Sequence, residues 1–333
     1  MKKIFILIFL MWAFILHLSA QDVHLSQFYT NHAMVNPALV GDHPGDNTIT
    51  MNFRNQWPEI NDPIQTGAVA FEKRMYNGLQ EYQAGLLIVN DRFSPWNRNR
   101  FGVALSFGYP LKLGKHRITP GIQAGLYILN GDYSGRTTPN QWNYSIGEFD
   151  QGIGSMEPDF SENIQYPDIA LGFTHSFPLG NKNRLRWGAA VHHLNQPNIS
   201  IIDDEEMPMR YTGHLDADLN VNEMFVIQPA MRFTQTTATE NLVFGSRFMF
   251  KQPGSFFNAI YTGAFYRSNV DYQDALIPVF GVVLKTIQIG VSYDFNVSEL
   301  SSLGESKSTL EFSVRYQTPI SSPDRFSVPC IRY

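Results

Sequence analysis

Residues 285–297 read K-T-I-Q-I-G-V-S-Y-D-F-N-V and alternate between two kinds of side chain. One set is apolar or aromatic, namely Ile287, Ile289, Val291, Tyr293, Phe295 and Val297. The other set is small or polar, namely Gln288, Gly290, Ser292, Asp294 and Asn296. Because successive side chains of a β-strand point to opposite faces, this stretch predicts a strand with one apolar and one polar face. Such a strand fits a soluble sandwich with the apolar face inward, or an outer-membrane barrel with that face toward lipid.

Residues 1–20 have the pattern of a secretory signal peptide. A basic start, M-K-K, is followed by an apolar run over 4–18 and by the small residues Ser19 and Ala20. We expect cleavage after Ala20, because the run is short for a stable membrane anchor and ends in small residues. The alternative is an uncleaved anchor helix. Export leaves three classes of protein: secreted, periplasmic or outer-membrane.

The composition narrows these classes further. Beyond residue 20, no run approaches the roughly eighteen apolar residues of a transmembrane helix. Aromatic residues make up 14% of the chain, which suits the aromatic girdles of an outer-membrane barrel. The formal net charge of −5 argues against a nucleic-acid partner. The single cysteine, Cys330, cannot form an internal disulfide, and we expect it to be a small buried hydrophobe, the alternative being a covalent attachment point.

Residues 21–45 do not alternate and predict an irregular or partly helical segment before the barrel. The turn-forming residues Asn36, Pro37 and Gly41 lie in its second half. This segment is either a plug in the lumen or a periplasmic leader packed against the rim. Its candidate residues are Gln27, Phe28, Asn36, Pro37, Ala38 and Gly41.

Residues 46–318 predict an all-β fold, a transmembrane antiparallel barrel of about 14 strands, followed by a periplasmic tail over 319–333. The alternating stretches are 47–57, 64–74, 82–93, 100–111, 117–130, 166–178, 185–194, 209–219, 224–234, 241–251, 256–267, 275–283, 285–297 and 309–318. Short turns alternate with longer connections such as 131–165 and 195–208. That asymmetry is typical of outer-membrane barrels, and an even strand count places both termini in the periplasm.

The polar faces of these strands predict the lumen. Small residues recur there, as at Gly102, Ala104, Gly108, Gly172, Gly188 and Gly290, and charges look sparse. We therefore expect a lumen that is filled by a segment or that receives one. Candidate lumen-facing residues are Arg54, Gln288, Asp294 and Arg315. Asp294 requires a cationic partner, and Arg315 on the next antiparallel strand is the leading candidate.

The sequence shows no catalytic constellation, so we expect neither an enzyme nor a bound cofactor or metal. Serine, histidine and aspartate residues occur, but no pattern brings a nucleophile, base and orienter together. His192 and His193 are adjacent, so on a strand their rings would point to opposite faces. The acidic run D-D-E-E at 203–206 is either a solvated loop or, less favoured, a calcium site.

Several motifs together resemble the PorP/SprF family. They are L-S-Q-F-Y at 25–29, N-P-A at 36–38 with Gly41, F-R-N-Q-W at 53–57, P-D-I-A-L-G at 167–172, H-L-N-Q-P at 193–197, G-A-F-Y-R at 263–267, I-G-V-S-Y-D at 289–294 and V-P-C at 328–330. One departure is Ile331, where a second proline is expected.

The resemblance implies an outer-membrane barrel of Bacteroidota linked to type IX secretion and gliding motility. It implies a non-enzymatic protein whose partners are a secreted adhesin or its C-terminal domain, other type IX secretion components, and outer-membrane lipid. We expect the loops 131–165 and 195–208 to hold the client while residues 21–41 close the lumen. The alternatives are a passive channel for a small hydrophobic or oligosaccharide solute, and a surface enzyme.

Overall fold

A computed structural model describes residues 23–58, 63–78, 80–94, 97–132, 137–150, 152–154, 161–180, 182–200, 206–237, 239–252, 257–268, 273–297 and 308–319. The predictions for the signal peptide, for nearly all of the 319–333 tail including Cys330, and for acidic residues 203–205 concern parts of the chain outside these ranges.

The described chain begins with a short helix, α1 (His32–Val35), and a 3-10 turn (Pro37–Leu39). Seventeen strands follow: β1 Asn47–Gln56, β2 Ile64–Asn77, β3 Gln80–Phe93, β4 Arg98–Gly108, β5 Leu111–Leu113, β6 His116–Asp132, β7 Trp142–Asn143, β8 Glu148–Phe149, β9 Ser161–Leu179, β10 Asn183–His192, β11 Arg210–Asn220, β12 Phe225–Gln235, β13 Glu240–Lys251, β14 Phe257–Ser268, β15 Gln273–Leu284, β16 Ile287–Asn296 and β17 Thr309–Gln317.

Fourteen of these strands form a closed antiparallel barrel, which confirms the predicted fold. Each barrel strand pairs with its neighbours in sequence, and β1 pairs with β17 to close the ring. The three-residue β5 continues the ladder of β4 along β6, so it adds no strand to the circumference. β7 and β8 form a separate hairpin within the 131–165 connection.

The two faces of the barrel wall differ as the alternation predicts. In β16, the side chain of Phe295 is 51% exposed on the outer face, whereas that of Asp294 is 2% exposed on the inner face. The same division runs around the barrel, with exposed apolar side chains outside and buried polar ones inside. Within the described ranges, no helix is long and apolar enough to cross a membrane.

The connections define two ends of the barrel. Short links over 77–80, 113–116, 179–183, 220–225, 251–257 and 284–287 lie at one end, which we name the turn end. Gly78, Gly114 and Gly180 have positive φ in these links, a conformation that glycine adopts without steric strain. The connections that include 132–161 and 192–210 lie at the opposite end, which we name the loop end.

Candidate functional site

The lumen of the barrel contains residues 23–45, which we name the inner segment. Side chains or backbone groups of this segment contact every one of the fourteen barrel strands. The contacts on successive strands are with Asn52, Glu72, Gly85, Ala104, Gln123, Phe173, Ala189, His214, Arg232, Arg247, Phe265, Ile277, Asp294 and Glu311. A segment that meets all strands of a closed ring lies within that ring.

The inner segment runs along the lumen from the loop end to the turn end. Ser26 lies beside Asp294, near the end of β16 that carries the long connection to β17. At the other extreme, Gly45 approaches the backbone of Thr318, just beyond β17 at the turn end. Val23, the first described residue, lies at the loop end. The periplasmic position of the amino terminus concerns residues outside the described ranges and stays a prediction.

Charged side chains hold the loop-end half of the segment. The Asp294 carboxylate accepts hydrogen bonds from Arg267 at 2.7 Å and from the Ser26 hydroxyl at 2.7 Å. The Glu311 carboxylate accepts from the backbone amides of Ser26, at 2.7 Å, and Gln27, at 3.0 Å. Arg54 lies between the two carboxylates, 3.4 Å from Asp294 and 3.5 Å from Glu311. Charge-assisted bonds of this kind are about twice as strong as neutral ones.

The predicted pairing of Asp294 with Arg315 is wrong. Asp294 lies opposite Thr309 in the β16–β17 ladder, and Arg315 lies opposite Gln288. Six residues of strand separate the two positions, or roughly 20 Å. Arg315 instead donates to the backbone carbonyls of Tyr29 and Thr30.

Asn36 is the hydrogen-bonding centre of the segment. Its Nδ2 donates to the carbonyls of Phe173 and Ala189, each at 3.1 Å, and its Oδ1 accepts from the Ala38 amide at 2.9 Å. The side chain is completely buried. One asparagine therefore joins the 3-10 turn of the segment to the adjacent strands β9 and β10.

Glycines of the wall admit the segment backbone at close range. A Cβ atom at Gly121 would lie 2.5 Å from both the backbone N and Cα atoms of Ala38. At Gly172, a Cβ would collide with the Asn36 amide oxygen. Gly172, which was predicted to lie on the inner face, and Gly121, which was not singled out, thus provide space for the inner segment.

Aromatic packing and a second charged group hold the rest of the segment. Phe28 and Tyr29 pack on Phe265 with ring centroids 5.8 Å and 5.2 Å away, and the Arg247 guanidinium lies 3.8 Å from the Tyr29 ring centroid. At the turn end, Asp42 accepts from Arg186 at 2.8 Å.

Two histidines of the segment lie beside one strand carboxylate at the turn end. His32 and His43 are 3.6 Å and 3.5 Å from the Glu72 carboxylate. The same carboxylate accepts a hydrogen bond from the Gly41 amide at 2.8 Å. Glu72 therefore contacts three residues of the segment: His32, Gly41 and His43.

The candidate residues occupy the following places. Gln27, Phe28, Asn36, Pro37 and Ala38 are buried in the segment, and Gly41 takes a left-handed conformation with a φ of 76°. Arg54, Asp294 and Arg315 point inward, and Gln288 lines a cavity at the turn end.

The expectation of a lumen with few charges is wrong. Buried charged side chains on the strands include Arg54, Glu72, Glu81, Asp168, Arg186, Arg232, Arg267, Asp294 and Glu311. They occupy inward positions of the alternating pattern, and that position is the sequence signal that would have identified them. They are spread over separate strands, so no single stretch of the sequence shows a row of charged residues.

The two adjacent histidines also differ from expectation, since both rings are buried. β10 ends at His192, and His193 has a left-handed φ of 58°, which breaks the strand alternation. His192 contacts the Val35 carbonyl, and His193 lies 3.0 Å from Asp168. Within the described ranges, no cluster of three or more His, Cys, Asp or Glu side chains could hold a metal ion.

Cavities lie beside the segment at both ends of the lumen. The loop-end cavity has a volume of about 220 Å³ and lies among Val23, Phe28, Trp57, Arg232 and Thr239. The turn-end cavity has a volume of about 310 Å³ and lies among His43, Arg184, Asp216, Arg247 and Gln317. The segment therefore separates the space at the loop end of the lumen from the space at the turn end.

We predict that Asn36→Ala loosens the segment but leaves the barrel closed. The substitution leaves the buried Ala38 amide without its acceptor, and an unsatisfied buried group costs about 1–3 kcal/mol. Hydrogen exchange of amides 30–40 is expected to quicken, while strand amides keep their protection. Asn140→Ala, which alters an exposed loop contact to Gly154, is the control. Equal exchange in the two variants would contradict the role of Asn36.

The chain resembles known proteins in both sequence and structure. The family described as "Type IX secretion system membrane protein PorP/SprF" matches residues 17–316. No curated protein sequence matches the chain significantly. Similar solved structures include the "TodX deltaS2S3 mutant monoaromatic hydrocarbon channel", with a TM-score of 0.51, 10% identity and coverage of 85% of this chain and 92% of that chain.

The CymD monoaromatic hydrocarbon channel is also similar, with a TM-score of 0.49, 9% identity and coverage of 87% of this chain and 93% of that chain. A Pseudomonas aeruginosa FadL homologue has a TM-score of 0.47 and 10% identity, covering 85% and 92% of the two chains. Among these three structures, the TodX mutant alone has a TM-score above 0.5, and at 10% identity its likeness shows the barrel fold and nothing beyond it.

Proposed function

The chain belongs to the PorP/SprF family of type IX secretion system membrane proteins, and from this membership we propose that its barrel is a non-enzymatic anchor. In this proposal, the barrel helps to secrete or retain a surface adhesin by binding the C-terminal domain of that adhesin at the loop end. Other type IX secretion components are its further partners.

The observation that carries the proposal is the inner segment. It contacts all fourteen strands and extends from Ser26 near the loop end to Gly45 at the turn end. A lumen filled along its length by its own chain suits a protein that binds at its mouth better than one that conducts a solute. We propose that the segment acts as a plug and keeps the outer membrane sealed while a client is held.

The β7–β8 hairpin provides a surface for such a client. It lies in the long 131–165 connection, where Trp142 and Phe149 pack edge to face with ring centroids 5.0 Å apart. At its tip, the side chains of Tyr144 and Ile146 are 90% and 61% exposed. Exposed apolar side chains on an ordered hairpin are suited to a protein interface.

We predict that the double substitution Tyr144→Ser and Ile146→Ser reduces capture of the client. The test is affinity purification of the tagged full-length barrel from envelope extracts, with secreted proteins identified by mass spectrometry. Wild type is expected to recover a secreted adhesin, and the double variant several-fold less of it, because apolar burial at the contact is lost.

Val221→Ser together with Met224→Ser is the matched control. These two side chains are 59% and 58% exposed, but they lie in the 220–225 link at the turn end. This control is expected to recover the adhesin as wild type does. Recovery of no secreted protein by wild type would refute the anchoring function, and equal losses in both variants would refute the hairpin as the contact.

A further inference from the structure

The loop-end cavity contains a buried arginine that the anchoring function does not use. Arg232 extends from the inner face of β12 into this cavity and is 5% exposed. Its Nη1 donates to the Leu25 carbonyl at 3.3 Å. Among the described residues, its Nε and Nη2 atoms have no hydrogen-bond partner. A buried guanidinium with unsatisfied donors is costly unless an acceptor reaches it.

We propose that the loop-end cavity is a binding site for a carboxylate, held by Arg232. A guanidinium presents its N–H donors in a planar fork that matches the two oxygens of a carboxylate. This site is independent of the anchoring function, since it follows from the cavity and its charges alone.

The charges around the cavity favour an anion. Arg210 and Arg267 line the same space as Arg232, with Arg54 just behind Asp294. The carboxylates nearest to Arg232 are bonded to other groups, and Glu311 accepts from the amides of Ser26 and Gln27. Asp294 is engaged by Arg267 and Arg54, and Glu240 accepts from Gln235 on the exposed rim. An incoming carboxylate would therefore balance the positive charge at Arg232.

The shape and lining of the cavity define the rest of the ligand. Phe28, Leu25 and Val35 contribute apolar surface to the lining, and threonines of β11, β12 and the 236–239 link contribute hydroxyl-bearing side chains. A cavity of about 150 Å³ holds a benzene ring in another protein, so the 220 Å³ here can hold a ring with a carboxylate. The expected ligand is a carboxylate with a small apolar body, which is either a free organic acid or the C-terminal end of a polypeptide.

Titration calorimetry on the purified full-length barrel in detergent tests this assignment. The probes are benzoate and its uncharged analogue benzamide, which has nearly the same shape. Benzoate is expected to bind saturably and at least tenfold more tightly than benzamide, because a hydrogen bond to a charged group typically contributes roughly tenfold or more. Equal binding of the two probes to wild type would overturn the proposal.

Substitutions assign the effect to Arg232. Arg232→Gln is expected to abolish the preference for benzoate, and Arg232→Lys to retain part of it. Lys182→Gln is the control, because Lys182 is an exposed cation in the 179–183 link at the turn end, 4.0 Å from Glu223. A preference that persists in Arg232→Gln would overturn the proposal. If Arg232→Gln fails to fold, the comparison of benzoate with benzamide on wild type and on Arg232→Lys still tests the proposal.

A second pair of probes separates the two sources of carboxylate. A tetrapeptide with a free C-terminus and the same peptide as its amide are titrated in the same way. Tighter binding of the free-acid peptide than of benzoate identifies a chain end as the ligand, whereas the reverse order identifies a small organic acid. Either order of affinity supports a carboxylate site. If neither the free-acid peptide nor benzoate binds, the proposal is refuted.

Discussion

Deletion of residues 22–40 is expected to convert a sealed barrel into an open pore. The deletion removes the contacts to Asp294, Glu311 and Asn36's carbonyl partners, while every strand-to-strand ladder remains. Barrels of eight strands are filled by side chains, whereas those of sixteen to eighteen enclose aqueous channels. Fourteen strands without a filling segment therefore leave space for water, and the charged inner face is readily hydrated.

The measurement has two parts, conductance in planar bilayers and entry of vancomycin or a dye into cells. The deletion variant is expected to show stable conductance steps and rapid entry, where the full-length chain shows neither. A synthetic peptide of residues 23–45 added in trans is expected to reduce the conductance again. Heat-dependent electrophoretic mobility verifies that the variant is folded.

The same experiment discriminates between the anchor and a passive channel. Stable conductance of the full-length barrel would favour transport of a small solute and would contradict the plug. Unchanged permeability of a folded deletion variant would also contradict it, since the segment would then seal nothing.

The strands were predictable because alternation is a local property of the sequence. Each residue of β16, from Ile287 to Asn296, indicates its own face without knowledge of any other strand. The barrel closure followed from the strand count and the unequal connections, and the family from motifs spread over the chain. Those conclusions needed no pairing of distant side chains.

The contacts within the lumen were not predictable in the same way. Asp294 pairs with Arg267 of β14, two strands away around the wall, because inward side chains converge across the curved surface. The order of the strands in the sequence favoured a partner on the adjacent strand, and hence Arg315. The register places Arg315 at the end of β17 that lies away from Asp294. The direction of the inner segment along the lumen could not be predicted either. Its sequence has no periodicity, and its contacts come from all fourteen strands.

Gly121→Val is expected to displace the inner segment without damaging the wall that it lies against. The new Cβ would meet the N and Cα atoms of Ala38 at 2.5 Å and the carbonyl carbon of Pro37 at 2.7 Å. These are backbone atoms, so no side-chain rotation can relieve the collision. Valine is otherwise favoured over glycine in a strand, so β6 itself is expected to form normally.

The expected magnitude follows from the cost of overpacking, which is about 1–3 kcal/mol and corresponds to about a 5- to 150-fold shift toward the displaced state. Proteolysis of the intact barrel measures this shift, since cleavage within residues 23–45 requires the segment to leave the lumen. Conductance of the same sample is expected to rise with cleavage, but to remain below that of the 22–40 deletion.

Gly213→Val is the matched control, because a Cβ at Gly213 meets no atom within 4 Å. Both substitutions add the same side chain to a barrel strand, so any general effect of valine is common to the two. Only the Gly121 variant forces the wall and the inner segment apart. Equal cleavage of the two variants would therefore mean that the close approach at Ala38 does not hold the segment. Its polar contacts with Glu311, Asp294 and the carbonyls of Phe173 and Ala189 would then be sufficient.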